Sequence, residues 1–149
     1  MTLVADVGCG NGKMAAAACR RGARTIACDT SDALIDIAHA SHKDKKYECL
    51  VAGGVRLPYR SGAFDVALNI AVLHHLSTAE RRLKCIQETL RILKPGGRAL
   101  FYAWAKEQKD IARLWCEAKW TDVLSQKLAD LLQEQTREHG ALLHKLRLK

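Results

Sequence analysis

Short, continuous apolar runs alternate with segments of helical period along the first 105 residues. The run at 3–7 ends in a glycine cluster and predicts a buried strand. Residues 13–21 are rich in alanine and suit a helix, with Gly22 as its stop. A second strand is expected at 25–28, closed by Asp29. Ser31 and Asp32 can cap a helix in which Leu34, Ile35 and Ala38 recur at helical spacing. Residues 47–52 predict a third strand, and Gly53 and Gly54 a turn. Residues 58–63 hold Pro, Arg, Ser and Gly and read as loop. The longer apolar run at 64–72 predicts a fourth strand passing into a loop. The clearest helix spans 78–93, where Leu83, Ile86, Leu90 and Leu93 recur every three to four residues. Ser77 and Thr78 can cap it, and Glu80 follows Ser77 at capping-box spacing. Pro95, Gly96 and Gly97 are expected to stop it before a fifth strand at 99–104.

The order is β-α-β-α-β-loop-β-α-β. Such alternation implies an open, mostly parallel α/β sheet with helices on both faces, because parallel strands need crossover connections. The last third reads differently. Residues 106–149 offer no strand pattern and no proline. Ile111, Leu114, Trp115 and Ala118 share a helical face, and Leu124, Leu128, Leu131 and Leu132 continue an imperfect apolar stripe. The expected organisation is a core over 1–108 and a helical tail over 109–149.

Composition narrows the class. The chain has 149 residues, enough for one domain with a real core. Hydrophobic residues at 48% and charged residues at 27% exclude global disorder. The formal net charge of +8 favours a polyanionic partner or a solvated basic surface, and charge alone does not separate them. Residues 106–149 hold nine basic and seven acidic residues, so the tail supplies +2 and the first 105 residues +6. Six cysteines at 9, 19, 28, 49, 85 and 116 form no CxxC pair, so no metal site is expected. No apolar run reaches the roughly 20 residues that span a bilayer, and no membrane association is expected. A reducing compartment, cytoplasmic or nuclear, is the default.

The informative segment is D-V-G-C-G-N-G at 6–12, between the first strand and the first helix. Glycines there allow positive φ and close approach of a ligand to the backbone. In an open α/β sheet such a loop lies at the carboxyl ends of the strands, where ligands bind. The third glycine comes one residue earlier than in the dinucleotide fingerprint, and no P-loop pattern is present. By itself the pattern fits an ordinary glycine turn equally well. Asp29, with Thr30 beside it, stands at the end of the second strand. Its carboxylate can accept both hydroxyls of an adenosine ribose. The same residue equally suits the turn ahead of the next helix.

Together these residues resemble the class I S-adenosylmethionine-dependent methyltransferases, a Rossmann-like fold. Phe64 and Asp65 opening the fourth strand, and Leu93-Lys94-Pro95-Gly96-Gly97 before the fifth, agree with that superfamily's later motifs. The string I-A-V-L-H-H-L-S-T-A-E-R-R at 70–82 is narrower. It resembles the eukaryotic tRNA wobble-uridine carboxymethyl methyltransferases, which include the methyltransferase domain of the AlkB homolog 8 protein. G-N-G-K at 10–13 and Y-A-W-A-K-E-Q at 102–108 agree with that family as well. The resemblance implies a seven-stranded sheet and S-adenosyl-L-methionine as cofactor. It implies tRNA as substrate, with the carboxylate of 5-carboxymethyluridine at the wobble position converted to a methyl ester. A small zinc-binding methyltransferase activator subunit is the implied partner. Asp6, Gly8, Gly10, Asn11, Gly12, Asp29, Thr30, Gly53, Gly54 and Ile70 are the implied cofactor contacts. His74, His75, Arg81 and Arg82 are candidates to hold the substrate carboxylate and neighbouring phosphates. Structural roles for the His pair, and an ordinary helix start for the two arginines, remain open alternatives.

The chain departs from the family pattern in four places. Gly53 stands where the family carries an aspartate that accepts from the adenine amino group. Losing such a bond costs about 0.5–1.5 kcal/mol net. Met14 follows Lys13 where tyrosine is usual. The chain opens at the first strand, and nothing after residue 108 resembles the family's final antiparallel strands. The expectation is therefore a core truncated at both ends, with the fifth strand as an exposed edge. Two alternatives follow: a catalytically weak scaffold binding an activator subunit or RNA, and a small-molecule methyltransferase of the same fold.

Overall fold

A computed structural model describes residues 1–41, 47–103, 112–117 and 144–146. The elements in chain order are β1 (Leu3–Val7), α1 (Lys13–Arg20), β2 (Arg24–Asp29), α2 (Asp32–Ser41) and β3 (Tyr47–Val51). They continue with β4 (Phe64–Ile70), a 3-10 turn (Leu73–His75), α3 (Ala79–Arg91) and β5 (Leu93–Ala103). Two further strands follow, β6 (Ala112–Glu117) and β7 (His144–Leu146).

The strands form one sheet in the order β3-β2-β1-β4-β5-β6-β7. The first five are parallel, as the alternating pattern requires. The chain runs outward from β1 through β2 to β3, then returns to the other side of β1 for β4 and β5. That reversal opens a crevice at the carboxyl ends of β1 and β4, the usual ligand position in such sheets. Both sheet faces are covered, so Val4, Ala5, Asp6 and Val7 are all buried. One core gathers Val7, Leu57, Phe64, Ile86, Leu93 and Phe101 with their neighbours. A smaller one, made of Cys9, Ala15, Ala27 and Ile35, lies with α1 and α2.

The return path at 52–63 has no helix and is held instead by side chains. Arg91 chelates Glu88 with bonds of 2.7 and 2.8 Å, and its guanidinium also donates to the Leu57 and Tyr59 carbonyls. Glu88 in turn accepts from the Leu57 N–H at 2.8 Å. The Arg91 hydrogen bonds hold the Glu88 carboxyl below its usual range despite burial. Charge-assisted bonds of this kind are about twice as strong as neutral ones.

Four expectations need correction. The α3 cap is Thr78, whose side chain accepts from the Arg81 N–H, so the third helical position holds Arg81 and no capping box forms. α3 ends at Arg91, before the Pro95-Gly96-Gly97 stretch. That stretch lies within β5 as a bulge: Phe64 pairs with Leu93, and Val66 already pairs with Arg98. Residues 112–117, expected on a helical tail, form β6 antiparallel to β5. β5 is therefore paired on both sides instead of standing as an exposed edge. Helical spacing could not reveal this, because the unpaired edge of β5 supplies the partner from elsewhere in the chain. Trp104 and the stripe of Leu124, Leu128, Leu131 and Leu132 lie outside the described residues. No helix among the described residues is long and apolar enough to cross a membrane.

Candidate functional site

The carboxyl ends of β1 to β4 bring the glycine loop, Asp29-Thr30, Gly53-Gly54 and Ile70 to one end of the sheet. The glycine loop docks on β2: the Gly8 and Cys9 N–H groups both donate to the Cys28 carbonyl, at 2.8 and 2.9 Å. Gly8, Gly10 and Gly12 all have left-handed backbones, with φ of 74°, 53° and 77°. Their surroundings differ. A Cβ on Gly8 would lie 2.2 Å from Val72 Cγ2, and one on Gly12 would lie 2.2 Å from the Tyr47 hydroxyl. A Cβ on Gly10 would meet nothing within 4 Å. Two of the three glycines thus admit other parts of the protein. Of the three, Gly10 alone faces open space among the described residues and leaves room for a ligand. Asn11 follows it, half-buried.

Asp29 is half-buried and joins the loop to β2. One carboxylate oxygen accepts from the Gly10 N–H at 2.8 Å and the other from the Ser31 N–H at 3.0 Å. Each oxygen has two lone-pair positions, so both can accept one further donor. The turn role and the ligand role are compatible here. Thr30 is exposed, with its methyl 3.3 Å from where a Gly53 Cβ would stand. Gly54 is packed from beneath, a Cβ there falling 2.9 Å from Cys85 Sγ.

Asp6 is 1% exposed and points toward α1, where the Ala15 N–H donates to it. Burial raises its pKa from 3.8 to about 7; that N–H opposes the shift and the Asp29 charge adds to it. One of its oxygens is buried without a hydrogen-bond partner among the described residues. A buried carboxylate oxygen with nothing to accept is costly, and a cationic or hydrogen-bonding ligand in the loop would relieve it. The Cys9 and Cys28 thiols are unlike reactive cysteines. Burial pushes the Cys28 thiol up to about 11 and that of Cys9 further still. Among the described residues Cys9, Cys19, Cys28, Cys49 and Cys85 form no disulfide.

The other wall follows β4. Ala71 has φ of 59°, the one non-glycine residue with positive φ among those described. Such a backbone costs about 1–3 kcal/mol and is held only where the surroundings impose it. Here the Ala71 N–H donates to the Tyr102 carbonyl at 2.7 Å. His74 and His75 follow with ring centroids 4.3 Å apart. Burial, then the neighbouring His75 charge, lowers the His74 pKa. His75 is exposed, as is Arg81. Arg82 is partly committed: its Nη1 donates to the Leu76 carbonyl at 2.7 Å and closes the turn.

Sequence reasoning missed Tyr47, Val72 and Ala71. Tyr47 had no local signal, since its hydroxyl reaches Ala38 O at 2.9 Å and blocks Gly12 only after β3 pairs with β2. Asp65, part of the matching strand motif, lies at the opposite end of β4. There it accepts from the Leu3 N–H and from Lys94, both at 2.7 Å, and fixes the start of β1.

Residues 5–101 match the family model described as "Methyltransferase domain". A tRNA (carboxymethyluridine(34)-5-O)-methyltransferase of Arabidopsis thaliana is 47% identical over 120 residues, covering 80% of this chain and 28% of that protein. The alkbh8 protein of Xenopus tropicalis, which carries the same enzyme name, is 44% identical over 108 residues, covering 72% and 16%. This chain thus spans less than a third of the length of either relative. Among solved structures, a chain from the complex between the Haloferax volcanii Trm112 methyltransferase activator and a methyltransferase superposes with a TM-score of 0.67. It is 20% identical, with 87% of this chain and 59% of that chain covered, and it speaks to the fold alone.

Proposed function

The chain belongs to the methyltransferase domain family, and on that premise we propose that it binds S-adenosyl-L-methionine and methylates tRNA. The proposed substrate is the carboxylate of 5-carboxymethyluridine at the wobble position, in the cytoplasm or nucleus, with a small zinc-binding activator subunit as partner. The relatives' enzyme names and the string at 70–82 support the substrate. The observation that carries the cofactor reading is the pairing of Gly10, open to a ligand, with the Asp29 carboxylate bonded to its N–H.

When bound, S-adenosyl-L-methionine supplies an electrophilic methyl group on a sulfonium. The residues around it have modest tasks. Asp29 offers its remaining lone pairs to the ribose, and Asp6 offers its unpaired oxygen inside the loop. Ile70, Gly53 and Gly54 line the adjoining strand ends. A substrate carboxylate is already ionised at neutral pH, so no general base is needed. Holding it in line is the protein's contribution, and orientation of this kind is worth roughly 7–11 kcal/mol. His74, His75 and Arg81 are the groups proposed to hold it. Arg82 acts through the Leu76 carbonyl and steadies the turn.

Calorimetric titration with S-adenosyl-L-methionine and S-adenosylhomocysteine tests the cofactor half; no heat of binding at millimolar ligand would sink it. Incubation with hypomodified tRNA plus the activator, read by nucleoside mass spectrometry, tests the substrate half. A second reading, a weakly catalytic scaffold, is favoured by Gly53, which offers no side-chain acceptor. Its distinguishing outcome is tight activator or RNA binding without cofactor binding.

A further inference from the structure

Val72 sits directly on the glycine loop, since its Cγ2 occupies the space a Gly8 side chain would need. It reaches that place because the chain reverses at Ala71, where φ is 59°. The reversal is pinned on both sides. The Ala71 N–H is held by the Tyr102 carbonyl of β5 at 2.7 Å. Downstream, the His75 N–H donates to the Val72 carbonyl at 3.0 Å, and Arg82 closes the turn on the Leu76 carbonyl. An extended residue at 71 would carry β4 onward and lift Val72 away from Gly8.

We propose that Ala71 is a positioning residue whose left-handed backbone seats Val72 on Gly8 and so sets the spacing between the glycine loop and the His74–His75 turn. The proposal deepens the cofactor-binding reading above and rests on it for its ligand. Alanine is suited to this place. A glycine would make the turn but leave it looser in the unfolded chain. A β-branched residue resists positive φ.

The test uses the full chain with Ala71→Val, Ala71→Gly and Val72→Ala. Two readouts are taken: S-adenosylhomocysteine affinity by calorimetry, and the His74 ring titration by NMR. Ala71→Val is expected to weaken the ligand at least tenfold and to raise the His74 midpoint toward that of an exposed histidine. Ala71→Gly is expected to restore both to within twofold of the parent. Val72→Ala is expected to weaken the ligand about threefold. Unchanged affinity and midpoint in Ala71→Val overturn the proposal. So does an Ala71→Gly variant that behaves like Ala71→Val, because the effect would then lie in the methyl group and not the backbone. If circular dichroism shows Ala71→Val unfolded, Val72→Ala decides, and parental values for both readouts overturn the proposal. If the parent chain takes up no ligand, the proposed function fails. The His74 midpoints then still decide the role of Ala71.

Discussion

The chain leaves β1 and β4 at the same end of the sheet and turns by different means at each. After β1 it uses three left-handed glycines and docks two N–H groups on one β2 carbonyl. After β4 it uses one left-handed alanine and docks one N–H on a β5 carbonyl. The glycine turn is relaxed, because glycine has no Cβ to clash. The alanine turn is strained, and its neighbours hold it. The two meet at Gly8 and Val72, so each limits where the other can go. One turn is written in residue type, the other in contacts. That is why only the first is obvious in a sequence.

Breaking the contact from the glycine side gives the largest expected effect. Gly8→Ala puts a Cβ 2.2 Å from Val72 Cγ2 at a backbone φ of 74°. The strain and overpacking together should cost about 3 kcal/mol or more, read by chemical denaturation. Gly10→Ala has the same backbone cost without the clash, so it should lose less stability. Equal losses in the two variants would refute the asymmetry between them.

Asp29→Ala removes the acceptor for both the Gly10 and Ser31 N–H groups. It also removes the proposed acceptor for the ribose, and a bond to a charged group is worth about 1.5–3 kcal/mol, so cofactor affinity should fall by roughly 10- to 100-fold. Asp29→Asn should lose less, because one amide oxygen still accepts.

The buried Asp6 gives a pH signature. Its folded-state pKa of about 7 lies above its value of 3.8 in the unfolded chain. The folded protein therefore holds the proton between those values, and stability falls as pH rises from about 4 to 7. The loss is on the order of a few kcal/mol. Asp6→Asn should flatten that slope in denaturation measured across the range. His74 works in the opposite sense, since its lowered pKa makes stability fall as pH drops below the ordinary histidine value. The difference between parent and Asp6→Asn curves isolates the carboxylate. A slope unchanged by the substitution would contradict the burial argument.

The smallest effect is a gain. A Cβ at Gly53 meets only the Thr30 methyl, at 3.3 Å, and the backbone there is not left-handed. Gly53→Asp should fit and add an acceptor worth about 0.5–1.5 kcal/mol, a two- to tenfold rise in cofactor affinity. No rise at all would favour the scaffold reading.

Much of this was legible from pattern. The strands at 3–7, 25–28 and 47–52 and the helices that follow the first two appear within a residue or two of where period and capping residues put them. They do so because their local preferences agree with the packing around them, even at β3, which lies at the sheet edge with no buried residue. Asp29 was legible for the same reason: it ends a strand and begins a turn. Failures came where distant groups decided. β6 formed because β5 had an open edge. The bulge at 95–97 formed because Phe64 and Val66 pair on either side of it.

The sequence by itself determined the α/β alternation, the glycine loop and the carboxylate after β2, because these depend on residues near one another and on backbone freedom that residue type fixes. Only the tertiary structure decided which glycine stays uncovered among the described residues. Gly8 and Gly12 are closed by Val72 and Tyr47, residues more than thirty positions away in the chain, and Gly10 stays open because none of the described residues comes within 4 Å of a Cβ placed there. It likewise decided that Ala71 must be left-handed. No local preference asks for that conformation, and the Tyr102 carbonyl and the seat of Val72 on Gly8 impose it.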